Sequence, residues 1–137
     1  MKVLIDTGAF IALFVSSEKF HSKVSKKYKD YRKQRAQLFT SYYILDELFT
    51  RLIYDFGKSV TQKAIEVLNK SIEKEELKVL DIDEAIFKKA QEALIKFSEH
   101  KISLTDATSF ILYKDFALDE IFTLDSDFKK IRVGTAF

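Results

Sequence analysis

The sequence predicts an α/β domain, in which a short parallel sheet is covered on both faces by helices. Three observations lead there. Short apolar runs alternate with longer amphipathic segments, the pattern of strands joined by crossover helices. Hydrophobic residues make up 47% of the 137 residues and include 13 Phe, enough to fill a core on both sides of a sheet. Pro is absent, and the three Gly (Gly8, Gly57, Gly134) fall between periodic segments, so residues 1–137 read as one domain.

The elements follow in order. Residues 2–6 (KVLID) form a short apolar run that stops at Thr7-Gly8, a buried strand. Residues 9–15 are apolar all round, a short buried helix, and residues 19–35 carry Phe20, Val24, Tyr28 and Tyr31 at helical spacing. The Phe20, Tyr28 and Tyr31 stripe is expected in the core or against a dimer partner rather than stacked on bases. Leu38 to Thr40 make the second strand, Ser41 caps the helix 42–56, and Gly57 ends it. Residues 59–74 are helical, and Leu77 to Ile82 are the third strand. Asp83 caps the helix 84–98 and Ser103 caps the helix 104–117. Ile121 to Leu124 are the fourth strand, a helical turn follows at Phe128 and Ile131, and Val133 to Phe137 close an edge.

Composition narrows the chemistry. Cys is absent, which excludes disulfides, thiolate zinc sites and cysteine nucleophiles. His21 and His100 are the only two histidines, too few for a multi-histidine metal site, and both read as packing or surface residues. Catalysis would therefore rest on carboxylates, hydroxyls, lysines and the backbone. The apolar stretch Val3 to Val15 is broken by Asp6 and is too short for a membrane span, which needs about 20 residues. A cytoplasmic location without membrane attachment is expected.

In sheets of this class the working groups gather beyond the carboxyl ends of the strands. Two strands end alike, in Leu4-Ile5-Asp6-Thr7 and Thr123-Leu124-Asp125-Ser126. Either Asp could simply start a turn or cap a helix. Asp106 sits in Ser103-Leu104-Thr105-Asp106, a capping box at a helix start that would face the same cleft. Glu47 lies opposite the apolar stripe of its helix, so its pattern is that of a solvated acid. If such acids converge, each pair about 5 Å apart repels by roughly 3 kcal/mol at an effective dielectric near 20. Protonation or cations must relieve that repulsion, and all-oxygen ligands favour Mg²⁺ or Mn²⁺.

At these residues the sequence resembles the PIN domain family, particularly its small VapC-type ribonuclease toxins. The matching stretches are LIDTGAFIAL, TSYYILDELFTRL, SLTDATSF and FTLDSDF, in order, from Val3 to about Phe128. The resemblance implies a three-layer α/β/α sandwich around a short parallel sheet of strand order 3-2-1-4-5. It implies that Asp6, Glu47, Asp106 and Asp125 are catalytic metal ligands, against the wheel reading of Glu47. Asp127 assists or replaces Asp125, and Thr7 and Thr123 support metal, water or phosphate. Asp81 and Asp83 fall at an edge strand and read as structural. It also implies an RNA substrate, an antitoxin protein partner and a homodimer. The tail Ile131-Arg132-Val133-Gly134 matches family ends only loosely.

The net charge of +2 conceals an asymmetry. Residues 19–35 hold eight basic residues and one acid, so that segment is +7 and the rest of the chain is −5. Lys23, Lys26, Lys27 and Arg32 on it are candidate phosphate contacts, the alternative being a solvated helix face. Three functions follow: a Mg²⁺-dependent endoribonuclease, a PIN-like module that binds RNA or protein without cleaving, and a phosphoacceptor receiver domain. Receivers pair acids after the first strand and carry a Lys after the last, whereas Asp6 is followed by Thr7 and Gly8, so the last of the three is disfavoured.

Overall fold

Short strands and longer helices alternate along the chain. A computed structural model describes residues 1–137. In order it contains β1 (Lys2–Ile5), α1 (Thr7–Phe14), α2 (His21–Lys33), β2 (Gln37–Ser41), α3 (Tyr42–Asp55) and α4 (Lys58–Glu73). After these come β3 (Lys78–Leu80), α5 (Glu84–Lys96), a 3-10 turn at Ser98–His100, α6 (Leu104–Asp115), β4 (Glu120–Phe122) and α7 (Asp127–Lys130). The strands form one parallel sheet in the order β3-β2-β1-β4. Val3 pairs with Leu38 on one side and Glu120 on the other. Val3, Leu4 and Ile5 are all buried, as expected of a central strand covered on both faces.

Parallel strands are joined by right-handed crossovers as a rule, and the order β3-β2-β1-β4 then puts α1–α4 on one face of the sheet and α5–α6 on the other. Helix packing divides the same way, α1 against α2 and α3, α3 against α4, and α5 against α6. The three-layer α/β/α architecture is therefore as expected. Strand order reverses between β1 and β4, so the crevice beyond their carboxyl ends is the switch point of the sheet.

Local chemistry sets the element ends. Ser41 accepts from Ile44 N–H at 3.2 Å and Asp83 from Ile86 N–H at 2.8 Å, so both predicted caps form. Gly57 follows α3 with φ +96°, and its N–H reaches Leu52 C=O at 3.0 Å. That backbone conformation favours glycine and stops the helix. Tyr31 and Val24 of α2 are buried, with Tyr31 edge-on to Phe122 and its hydroxyl donating to Glu120. Phe20 departs from the predicted stripe: it precedes α2 and is 41% exposed.

The predicted fifth strand is reduced to a single parallel bridge between Ile121 and Thr135. Ile121 N–H donates to Gly134 C=O at 2.8 Å, and Ala136 N–H donates to Ile121 C=O at 3.3 Å. The strand order 3-2-1-4-5 thus becomes 3-2-1-4 with a bridged tail. The tail crosses the three-residue β4 closely. A Cβ at Gly134 would lie 2.8 Å from Asp119 C=O. The predicted strand Ile121 to Leu124 also ends early, at Phe122, which frees Thr123 and Leu124 to turn into the crevice.

Candidate active site

The crevice at the switch point is an open cleft of about 400 Å³ lined by Asp6, Thr7, Glu47, Arg51, Asp106 and Asp125, with Ser103 and Thr123 beside them. Four carboxylates therefore face one guanidinium. Asp6 follows β1, Glu47 projects from α3, Asp106 from the first turn of α6, and Asp125 from the turn after β4. The chain brings these four acids together from positions up to 119 residues apart.

Each acid is held by its own local device. Asp6 occupies the N-cap position of α1 yet makes no side-chain capping hydrogen bond. Instead its Oδ2 accepts from the Thr123 hydroxyl at 2.8 Å, and its N–H continues the ladder to Phe122 C=O at 3.0 Å. Asp106 does cap: its Oδ2 accepts from Ser103 N–H and its own N–H donates to Ser103 Oγ, each at 3.0 Å. One carboxylate thus closes a capping box and lines the cleft. Asp125 N–H donates to Thr123 Oγ1 at 3.0 Å, while Asp125 Oδ1 accepts from Asp127 N–H at 2.8 Å. Glu47 has only Arg51, four residues on, at 3.8 Å.

Burial dominates the electrostatics. Asp6 is 7% exposed, and desolvation, reinforced by the charge of Asp106, pushes its carboxyl up to about 7. The Thr123 hydroxyl and Thr7 N–H oppose that rise, and Glu47 adds to it. Asp106 is also raised, by burial first, against its Ser103 N–H bond and with the charges of Asp125 and Glu47 adding to burial.

The cleft suits a hard divalent cation. Every donor is oxygen, and no His or Lys lines it. Thr7 Oγ1 is 1% exposed at the cleft wall and has no hydrogen-bond partner, a buried polar atom that an incoming ligand would satisfy. No three His, Asp or Glu side chains stand close enough to cage an ion by themselves. Mg²⁺ does not need such a cage, because it keeps several waters and binds through one or two carboxylates.

The remaining candidates fall elsewhere. Asp127 does not line the cleft; its Oδ1 accepts from Lys130 at 2.9 Å, and that bond holds the carboxyl below its ordinary value. Lys23 stands at the cleft end of α2, in a side pocket that shares Thr123, Leu124 and Asp125 with the cleft. Lys26 is exposed, and Lys27 lies over the Tyr31 ring at 4.9 Å. Arg32 pairs with Glu76 at 3.1 Å beside the amino ends of β2 and β3, at the far end of the sheet. A 13-residue helix is about 20 Å long, so its two ends cannot both serve one site. The larger hollow there, about 440 Å³, has mixed charges that pair across it. His21 packs through Nδ1 against Ala12 C=O at 2.6 Å, and His100 stands beside Glu99 and Phe97.

Sequence reading missed Arg51 and the double role of Ser103. Arg51 lies four residues after Glu47 and so had to share its face. The helical wheel misjudged Glu47 because it assumed a solvated face, whereas that face of α3 overlooks the crevice.

Comparison with known proteins gives consistent results. A family model described as PIN domain matches residues 3–134. Ribonuclease VapC6 of Methanocaldococcus jannaschii is 27% identical over 143 aligned residues, covering 94% of this chain and 92% of that protein. The crystal structure of Mycobacterium tuberculosis VapC20, a sarcin-ricin loop cleaving toxin, superposes with a TM-score of 0.81 at 20% identity. It covers 96% of this chain and 95% of that one, a match of fold.

Proposed function

We propose, from the premise that this chain belongs to the PIN domain family, that it is a divalent-metal-dependent endoribonuclease. The observation that carries the reading is the meeting of Asp6, Glu47, Asp106 and Asp125 in one cleft at the switch point. One or two of these four carboxylates would hold Mg²⁺ or Mn²⁺ directly, and the others through the waters the ion keeps. When bound, that ion would supply an activated water and offset charge on the phosphoryl oxygens.

The residues of the chain do the rest. Thr123 orients Asp6 Oδ2 and receives Asp125 N–H, so one hydroxyl aligns two acids. Ser103 fixes Asp106 in the same way. Thr7 Oγ1 is free to donate to a phosphate oxygen or a water. Arg51 supplies the positive charge that a phosphodiester would meet in the cleft. The absence of a lysine from the cleft speaks against a receiver domain.

The biological setting proposed is the toxin half of a toxin–antitoxin pair, as the relatives' names suggest. An apolar hollow of about 210 Å³ between α1, α2 and α4, lined by Phe10, Leu13, Phe14, Tyr28 and Val67, supports a protein partner on that side. Exposed Ile53 and Tyr54 of α3 and Ile95 of α5 supply apolar surface for a second copy. No helix is long and apolar enough to cross a membrane, and an RNA substrate puts the site of action in the cytoplasm.

The test compares wild type with Asp6→Asn on labelled single-stranded RNA in Mg²⁺, Mn²⁺ or chelator. Metal-dependent cleavage lost by at least about 100-fold in the variant is expected. Equal cleavage by both proteins rejects the assignment. Tight RNA binding without cleavage by wild type would favour the non-cleaving module.

A further inference from the structure

Beside the acidic cleft lies a second, smaller pocket of about 130 Å³ with different chemistry. Thr123, Leu124 and Asp125 line both, so the two adjoin across that segment. Its outer wall is Phe20, Lys23, Lys129 and Phe137. Lys23 Nζ stands 4.2 Å from the Phe137 ring centroid and 6.0 Å from that of Phe20, a cation held between two aromatic faces. Lys19 Nζ lies 5.3 Å from the same Phe20 ring.

Charge and aromatic surface coincide in this pocket. Lys19, Lys23 and Lys129 have no carboxylate within 4.0 Å, as holds for most basic residues of the chain, but here they gather around two Phe rings. Their charge is therefore uncompensated beside a cleft rich in carboxylates. Phe20, at 41% exposure, shows water a ring that the core does not use. Unpaired cations resting on partly exposed rings are the chemistry that holds single-stranded nucleic acid: phosphate draws the ammonium groups, and a base takes their place on the ring.

We propose that the pocket of Phe20, Lys23, Lys129 and Phe137 is a nucleotide subsite for the residue flanking the bond cleaved in the acidic cleft. This rests on the ribonuclease reading and specifies where the substrate strand leaves the cleft. Asp125, on the shared wall, repels phosphate and so directs it outward to Lys23 and Lys129. The base then faces Phe20. Recognition of this kind favours a single strand, because a base locked in a duplex offers no free face.

The test uses a labelled random-sequence single-stranded RNA and an abasic strand of equal length, with chelator present, read by fluorescence anisotropy. Wild type is expected to prefer the base-bearing strand by about ten-fold, a preference largely lost in Phe20→Ala and kept in Phe20→Tyr. Lys23→Gln and Lys129→Gln are each expected to weaken binding several-fold and to lower the salt slope by about one. Both lysines are exposed, so these two variants carry the test even if Phe20→Ala fails to fold. Unchanged affinity and salt slope in both lysine variants, with cleavage still abolished by Asp6→Asn, overturns the subsite while leaving the ribonuclease intact. Cleavage unaffected by Asp6→Asn would instead remove the reading on which the subsite rests.

Discussion

Thr123 donates its hydroxyl proton to Asp6 Oδ2 at 2.8 Å across the junction of β1 and β4. Thr123 Oγ1 in turn accepts Asp125 N–H at 3.0 Å, so a side chain that is 3% exposed aligns acids from both strand ends. Thr123→Val keeps the shape and loses both bonds. Leaving these groups unpaired costs about 1–3 kcal/mol. The melting temperature should fall by several degrees. The Thr123 bond also holds the Asp6 carboxyl down against burial, so its loss raises that group above about 7. A smaller fraction of Asp6 is then ionised at neutral pH, and the acidic limb of the pH–rate profile moves upward. Thr123→Ser, which retains the hydroxyl, should behave as wild type. An unmoved limb in Thr123→Val would separate the bond from function.

The second prediction concerns stability without metal. Asp6 has a folded-state value near 7 against the model-peptide value of 3.8. Between those limits the folded chain holds a proton that the unfolded chain has lost, so stability falls as pH rises through that window. Below about pH 4 both states are protonated and the penalty vanishes. Metal-free wild type should therefore melt at a higher temperature at pH 5 than at pH 8. Asp6→Asn, which cannot ionise, should flatten the profile and melt above wild type at pH 8. A steeper profile in the variant would contradict the buried, raised carboxyl.

Much of this was legible in the sequence, and the failures have physical causes. The alternation of KVLID, LFT and LKVLDI with amphipathic segments announced a parallel sheet, and Ser41, Asp83 and Ser103 announced their caps. Asp6 and Asp125 could be placed at strand ends because a parallel sheet puts those ends together. Glu47 could not be placed by pattern, since a helical wheel separates core from non-core but does not distinguish bulk water from a crevice. Phe20 and Arg32 failed for a related reason: helical spacing assigns a face, whereas the ends of α2 lie at opposite ends of the sheet. The fifth strand is reduced to one bridge because the tail meets β4 only around Ile121, a contact that the run Val133 to Phe137 did not reveal.

Ser103 gives the third prediction. Its hydroxyl and N–H both engage Asp106, so Ser103→Ala removes half of the capping box. The loss should cost about 1 kcal/mol of stability, the usual value of an N-cap. A structural role alone would stop there. Because Asp106 lines the cleft, its freed carboxylate should also weaken metal binding, seen as a higher Mg²⁺ concentration for half-maximal cleavage. Ser103→Asp retains an N-cap acceptor, yet it adds a like charge beside Asp106. It should keep stability better than Ala and still cleave poorly.

Arg51 tests whether metal and phosphate compete for charge in the cleft. Its guanidinium is half exposed and stands 3.8 Å from Glu47, a geometry that contributes little to stability. Its electrostatic effect on the cleft is larger, because it is the sole cation among four carboxylates. In wild type, Mg²⁺ should raise the melting temperature by relieving carboxylate repulsion. Arg51→Gln deepens the negative potential, so the same rise should saturate at about three- to ten-fold less metal. Losing a phosphate contact should at the same time raise KM for RNA several-fold. The two effects have opposite signs, which general misfolding would not produce. If KM stays at the wild-type value while metal binding tightens, Arg51 acts on the ion site alone and the phosphate contact lies with other residues.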